Sequence, residues 1–474
     1  MKPTITFLFI LLLFAAWADA AAEIPAGVRG VLQTRQVPDS SLSIYVEDLD
    51  SGEVVLDWLG DVPRNPASTM KLLTTLVALD VLGPAYRWRT DVYALGEIAD
   101  GKLDGDLLVK GHGDPFLVAE RVWRLLRQIR YKGIDEITGD LLIDDSWFEV
   151  GDYDPAAFDN QPLRAYNVAP NALLTNFKVV RYWFEPDGER VRVRMDPELD
   201  NLRIDNRLSV RQGYCRGFQR GIAVNVNGNN DEVIFSGRFP SGCERYAMDR
   251  TALSHNAFTY GLFRSLWEES GGVLEGSWSN VLKDDLVKDE ETEPLVSFRS
   301  PPLVEMIARV NKHSNNVMAR QVLYTLSAEV NGPPGTETGG REVIETWLQQ
   351  NKLGSCKMAL ENGAGLSRET RICASGMAAM LRFAWHQPYM PEYLASMSLS
   401  GLDGTLRRRF TGSELVGTAH LKTGSLDHVA AIAGYLQARS GRRFAVVALH
   451  NHDDIHRGYG EEVQEALLRW LYDQ

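Results

Sequence analysis

The chain has 474 residues, 44% of them hydrophobic and 24% charged, which excludes a disordered polymer and points to two or three domains rather than one core. Its net charge of -13 excludes a general nucleic-acid binder, which needs a basic surface. It also excludes simple electrostatic adhesion to an anionic membrane.

The first residues read MKPTITFLFILLLFAAWADAAAEIP. Lys2 is cationic, the run Phe7 to Trp17 is apolar but too short to cross a bilayer, and Ala18-Asp19-Ala20 is a small-x-small cleavage site. Residues 1–20 therefore read as a secretory signal peptide cut near Ala20 to Ala22. An exported, periplasmic protein is expected, with no transmembrane anchor in the mature chain.

LSIYVEDLDSGEVVLDW (42–58) alternates apolar positions on both sides of Asp50-Ser51-Gly52, which predicts a β-hairpin. PASTMKLLTTLVALDVLG follows, with Leu72, Leu76 and Leu79 at helical spacing and Gly83-Pro84 as the stop. From about 86 to 255 short strands and turns dominate, as in ERVRVRM and GIAVNVNGNNDEVIFSG, interrupted by a helix at VAERVWRLLRQIR. Helices return from about 256, among them FTYGLFRSLWEES, GREVIETWLQQNKL and ASGMAAMLRFAWHQP. The end reads strand (VAAIAGYLQ), turn, strand (FAVVALHN), helix (EEVQEALLRWLYD). This order suggests one parent domain, 23–86 with 256–474, holding an inserted domain at 87–153 and a second, strand-rich one at 154–255. The four cysteines, Cys215, Cys243, Cys356 and Cys373, can pair in three ways. Pairing of neighbours is the simplest; free buried thiols are the alternative.

Ser68-Thr69-Met70-Lys71 places a hydroxyl and an amine one turn apart at a helix start. A serine is a weak nucleophile that needs a base, and a lysine serves once burial and a second cation strip its proton. Alone the pattern is equally an N-cap serine. Two further stretches change this. KHSNNVMAR carries Ser314-x-Asn316 before a helical run, and HLKTGSL carries Lys422-Thr423-Gly424 leading into a predicted strand. Ser-x-x-Lys, Ser-x-Asn and Lys-Thr-Gly in that order form the shared set of penicillin-binding proteins and serine β-lactamases.

Ser68 and Ser314 stand 246 positions apart. On these motifs the sequence resembles the D-alanyl-D-alanine carboxypeptidase/endopeptidase family, the low-molecular-mass class C penicillin-binding proteins with a large insertion between Ser-x-x-Lys and Ser-x-Asn. GHGDPFL (111–117), ENGAGLSRET and SLSGLDGTLRRRF (398–410) resemble further family segments, with Asn362, Ala364 and His112 departing from the usual residues. The resemblance implies an α/β (α+β) penicillin-binding, serine β-lactamase-like domain, helices on an antiparallel sheet, with strand-rich inserted domains. It implies a cofactor-free serine carboxypeptidase, with endopeptidase action on cross-links as a second activity, acting on peptidoglycan stem peptides and inhibited by β-lactams.

The implied roles are specific. Ser68 attacks, Lys71 takes its proton, Ser314 relays a proton to the leaving amine, and Asn316 holds Lys71 and the substrate amide. Lys422 and Thr423 meet the substrate carboxylate. The Thr423-Gly424-Ser425 run lines the substrate, and the Ser68 and Ser425 N–H groups form the oxyanion hole. Arg368, in Gly-Leu-Ser-Arg, is a candidate substrate contact or else a surface ion-pair residue. Asp159 matches an acidic position facing a diaminopimelate amino group, or else caps a loop. A β-lactamase and a silent wall-binding protein are the rival readings. The large insertion speaks against the first and the intact motifs against the second. His450, His452 and His456 do not by spacing make a closed metal set, and DGKLDGD (100–106) reads as a turn rather than a calcium loop.

Overall fold

The computed structural model describes residues 23–217, 221–281, 293–354, 356 and 358–474. The expected signal peptide lies outside the described residues. The chain opens with α1 (Ala26–Arg35), the hairpin β1 (Leu42–Asp48) and β2 (Val54–Trp58), and α2 (Lys71–Leu82). Gly83, at φ 83, ends α2 because only glycine adopts that backbone cheaply, and Pro84 follows.

The insertion then runs β3 (Arg89–Ala99), β4 (Lys102–Gly111), α3 (Ala119–Tyr131), β5 (Glu136–Ile137) and β6 (Leu141–Asp144). A loop leads to β7 (Val180–Asp187), β8 (Arg190–Asp196), β9 (Arg203–Tyr214), β10 (Ile222–Val226), β11 (Glu232–Gly242) and β12 (Tyr246–Arg250). Next come α4 (His255–Glu269), β13 (Val273–Leu274), β14 (Trp278–Asn280) and β15 (Val296–Arg299). One sheet orders β10-β11-β9-β8-β7-β12; another orders β13-β5-β4-β3-β15, with β6 between β4 and β14. DGKLDGD turns only at Asp100-Gly101; from Lys102 it is the strand β4, paired along β3.

The return comprises α5 (Leu303–His313), α6 (Asn316–Asn331), α7 (Glu337–Gln350), α8 (Ala374–Trp385) and α9 (Met390–Ala395). It finishes with β16 (Ser398–Leu399), β17 (Ala419–Leu426), β18 (Val429–Gln437), β19 (Arg443–Asn451) and α10 (Tyr459–Tyr472). The sheet β16-β17-β18-β19-β1-β2 is antiparallel throughout. Side chains alternate along a strand, so this sheet buries two faces. Ala433, Tyr435, Val447 and Leu449 pack on α2, α6 and α8, while Ile432, Leu436, Val446 and Ala448 pack under α1 and α10.

Residues 256–299, grouped with the parent domain on their helical pattern, pack elsewhere. Phe258, Phe263, Trp267, Val296 and Phe298 share one apolar cluster with Val92, Leu125, Phe184 and Phe235. A helical period shows that a face is buried but not against what. Cysteines 215 and 243 are bridged, as are 356 and 373, the neighbour pairing. No described helix is long and apolar enough to cross a membrane.

Candidate active site

Ser68 lies on a 3₁₀ turn, Ala67–Met70, that runs directly into α2 at Lys71. In a 3₁₀ turn positions i and i+3 eclipse, so the hydroxyl and the amine meet face on. Lys71 Nζ is 3.0 Å from Ser68 Oγ, 2.6 Å from Asn316 Oδ1 and 2.5 Å from the Ala364 carbonyl oxygen. Lys71 is wholly buried and has no carboxylate partner among the described residues. Burial, then the charges of Lys422 and Arg320, hold its amine well below the usual lysine range.

The turn is clamped on three sides. Asn65 donates from its backbone N–H to Asn451 Oδ1 at 2.8 Å, and Asn451 Nδ2 returns a bond to the Asn65 carbonyl at 3.0 Å. Asn65 Oδ1 then accepts from the Ala67 N–H at 2.8 Å. From the second side comes the loop 362–366, where Asn362 Oδ1 accepts from the Ala364 N–H at 3.1 Å and Thr74 Oγ1 donates to the Gly363 carbonyl at 2.7 Å. Ala364 therefore contributes through its backbone, and Asn362 closes the turn that aims that carbonyl; neither departure from the family pattern disturbs the contact with Lys71.

Strand β17 forms the third side. A β-carbon on Gly424 would fall 2.6 Å from the Pro66 carbonyl oxygen and 3.0 Å from the Ser68 nitrogen. Glycine there is what lets the strand approach the nucleophile's turn. Lys422-Thr423-Gly424 lies within β17, a strand of its own that pairs with β18 (VAAIAGYLQ), and not at the start of that later strand as its spacing suggested. Leu426 and Val429 are directly opposed, so a two-residue turn divides what reads as one segment.

Two residues, Ser314 and Asn315, separate α5 from α6. Ser314 adopts a left-handed conformation, φ 57, a strained setting for a serine that costs on the order of 1 kcal/mol or more. Lys422 Nζ donates to Ser314 Oγ at 2.9 Å and to the Thr423 carbonyl at 2.7 Å. Burial lowers the Lys422 amine to about 7. Thr423 Oγ1 meets Thr405 Oγ1 at 2.9 Å, in the Gly-Leu-Asp-Gly-Thr-Leu segment, which the Lys312–Asp403 ion pair ties to α5.

Open space flanks this group. A cavity of about 500 Å³ runs beside Ser314 and Asn316, walled by Tyr166, Phe177 and Glu120 from the insertion. A second, of about 250 Å³, is lined by Thr423, Gly424, Ser425 and Thr405. Ser68, Lys71, Ser314, Asn316, Lys422 and the Thr423-Gly424-Ser425 run are thus brought together.

Arg368 and Asp159 are not bonded to Ser68, Lys71 or Asn316. Arg368 bridges loops: its Nη1 donates to the Asp427 carbonyl at 3.0 Å and its guanidinium covers the Phe158 ring at 4.7 Å. Asp159 accepts from the Tyr166 hydroxyl at 2.7 Å and from Asn167 Nδ2 at 2.8 Å. The Tyr166 carbonyl in turn receives Asn316 Nδ2 at 3.5 Å, so Asp159 sets one cavity wall.

Sequence reading missed Arg320, Asn65 and Asn451. Arg320 sits one helical turn after Asn316, donates to the Tyr153 hydroxyl at 2.7 Å and the Val168 carbonyl at 3.0 Å, and is 3% exposed. The sequence offers it only as the last residue of KHSNNVMAR, with nothing to mark its burial. The three C-terminal histidines diverge: His450 Nε2 bonds Ser41 Oγ at 2.8 Å in the core, and among the described residues no cluster suits a metal ion.

Residues 26–474 match the D-Ala-D-Ala carboxypeptidase 3 (S13) family. The chain is similar to a D-alanyl-D-alanine carboxypeptidase of Actinomadura sp. (strain R39), 28% identical over 459 residues, covering 91% of this chain and 82% of that one. It superposes on the crystal structure of penicillin binding protein 4 (dacB) from Haemophilus influenzae with TM-score 0.79 at 21% identity, covering 94% of this chain and 99% of that one. The same protein complexed with a novel β-lactam gives TM-score 0.75, again at 21% identity, covering 95% and 100%.

Proposed function

The chain belongs to the D-Ala-D-Ala carboxypeptidase 3 (S13) family, a family of serine peptidases, and from that premise we propose that it removes terminal D-alanine from peptidoglycan stem peptides and also cuts D-alanyl cross-links. The observation that carries this reading is the wholly buried Lys71 amine 3.0 Å from Ser68 Oγ.

Lys71, as the free amine, takes the Ser68 proton while Oγ attacks the carbonyl between two D-alanines. The Ser68 and Ser425 N–H groups receive the oxyanion, each such donor contributing about 3 kcal/mol. Ser314 passes the proton to the leaving nitrogen, the C–N bond breaks, and an ester to Ser68 remains. Water then attacks the ester, a proton returns to Ser68, and the acid is released. Asn316 holds Lys71 and the substrate amide. Lys422 and Thr423 receive the terminal carboxylate, whose charge draws a proton onto Lys422. Arg368 contacts substrate from the rim, and Asp159 receives a side-chain ammonium. Two disulfides support an exported, periplasmic setting.

Intact-mass measurement after brief exposure to benzylpenicillin tests the reading. Wild type should gain one stable adduct and Ser68→Ala none. Destruction of penicillin without an adduct would instead indicate a β-lactamase. No adduct on folded wild type with the drug intact would indicate a silent binder.

A further inference from the structure

Helix α3 leads away from the active-site cavity. Its first residues, Ala119 and Glu120, line that cavity beside Ser314 and Asn316. Its inner face, Val122, Leu125, Leu126 and Ile129, is buried in the insertion's core. At 1.5 Å per residue its outer face extends roughly 20 Å. That face carries Arg121, Trp123, Arg124, Arg127 and Tyr131, and with Arg299 of β15 it forms a groove of about 510 Å³.

The charge of this groove opposes that of the molecule. The chain carries -13 overall, yet Arg121, Arg124, Arg127 and Arg299 have no carboxylate within ion-pair reach among the described residues. The acids that act on Arg121, Asp114 and Glu305, do so only at longer range, while Arg124 and Arg87 repel it. Like charges grouped on one face repel one another, and an anionic partner lying there would relieve that repulsion.

The aromatic rings narrow the choice of partner. Trp123 is 41% and Tyr131 75% exposed, and the Arg127 guanidinium lies 4.9 Å from one ring centroid and 5.4 Å from the other. A bilayer would require both rings to shed that guanidinium and insert. A chain lying in the groove can keep it, packing the C–H faces of sugar rings against the aromatic rings and pairing carboxylates with the arginines.

We propose that this groove binds the wall polymer, sugar rings bearing carboxylate-rich stem peptides, and guides one stem peptide into the adjoining cavity. The proposal rests on the substrate reading above. Its test uses the full chain, wild type beside Arg124→Glu/Arg127→Glu and Trp123→Ala. Each is sedimented with purified insoluble peptidoglycan and, separately, with phosphatidylglycerol vesicles. The charge-reversed variant should lose at least fivefold in wall binding and in turnover of polymeric wall. Its penicillin acylation and hydrolysis of a soluble pentapeptide should be unchanged. Trp123→Ala should lose wall binding with no change in charge. Unaltered wall binding by the variants, or wild-type binding to vesicles and not to wall, would overturn the proposal. Arginine-dependent wall binding by a protein that penicillin does not acylate would overturn the catalytic reading and leave the groove standing.

Discussion

Arg320 shows how a residue can govern this site without touching Ser68. Its charge is one of the causes that lower the Lys71 amine, after burial and Lys422. Replacing it with glutamine keeps hydrogen-bonding capacity and removes a cation, so the Lys71 amine should rise toward its ordinary range. Fewer molecules then hold a free amine at a given pH, and the acid limb of the penicillin acylation profile should move to higher pH. Rate against pH for wild type and Arg320→Gln checks this; superimposable limbs would remove Arg320 from the electrostatics of Lys71. The five motif residues were legible because each motif is a few consecutive positions with a fixed chemical need. Arg320 was not, because its role follows from burial beside another helix. Ala364 could not be read as a ligand either, because it works through a carbonyl that every residue possesses.

At the scale of elements, the approach of β17 to the 3₁₀ turn decides where a carbonyl can sit between Ser68 and Ser425. Gly424→Ala inserts a carbon 2.6 Å from the Pro66 oxygen, and backbone on both sides resists it. The strand must withdraw by a fraction of an ångström. A displacement near 1 Å costs about a hundredfold in rate, so acylation should slow by about tenfold to a hundredfold. Stopped-flow acylation checks this beside a melting curve, because collapse of both would indicate global damage. The hairpins and long helices that frame this contact followed from period and turn residues. The position of Lys-Thr-Gly inside its own strand did not, because Ser425 to Ala430 carries no Pro or Gly to announce the turn.

For the whole molecule, the insertion is a structural partner of the catalytic half. Gln321, fully buried on α6, donates to the Asn171 carbonyl at 2.9 Å and accepts from the Asn171 N–H at 2.9 Å. Arg320 beside it relies on Tyr153 and Val168. Excision of residues 87–299 would take from Arg320 and Gln321 the partners that orient them and open that face of α6, at the base of the site, to water. The shortened chain should therefore form no penicillin adduct by intact mass, even where it stays soluble; adduct formation at the wild-type rate would show the halves to be independent. Nothing in the sequence pattern reveals this dependence, since the contacts join residues about 150 positions apart.

The Asn65–Asn451 pair has a consequence for timing. β19, the last strand among the described residues, lies between β18 and β1, the first of them, and its final residue holds the backbone three positions before the nucleophile. During synthesis some 380 residues must follow Ser68 before Asn451 exists to meet Asn65. A nascent chain therefore carries its serine and its lysine long before it carries the clamp that sets them.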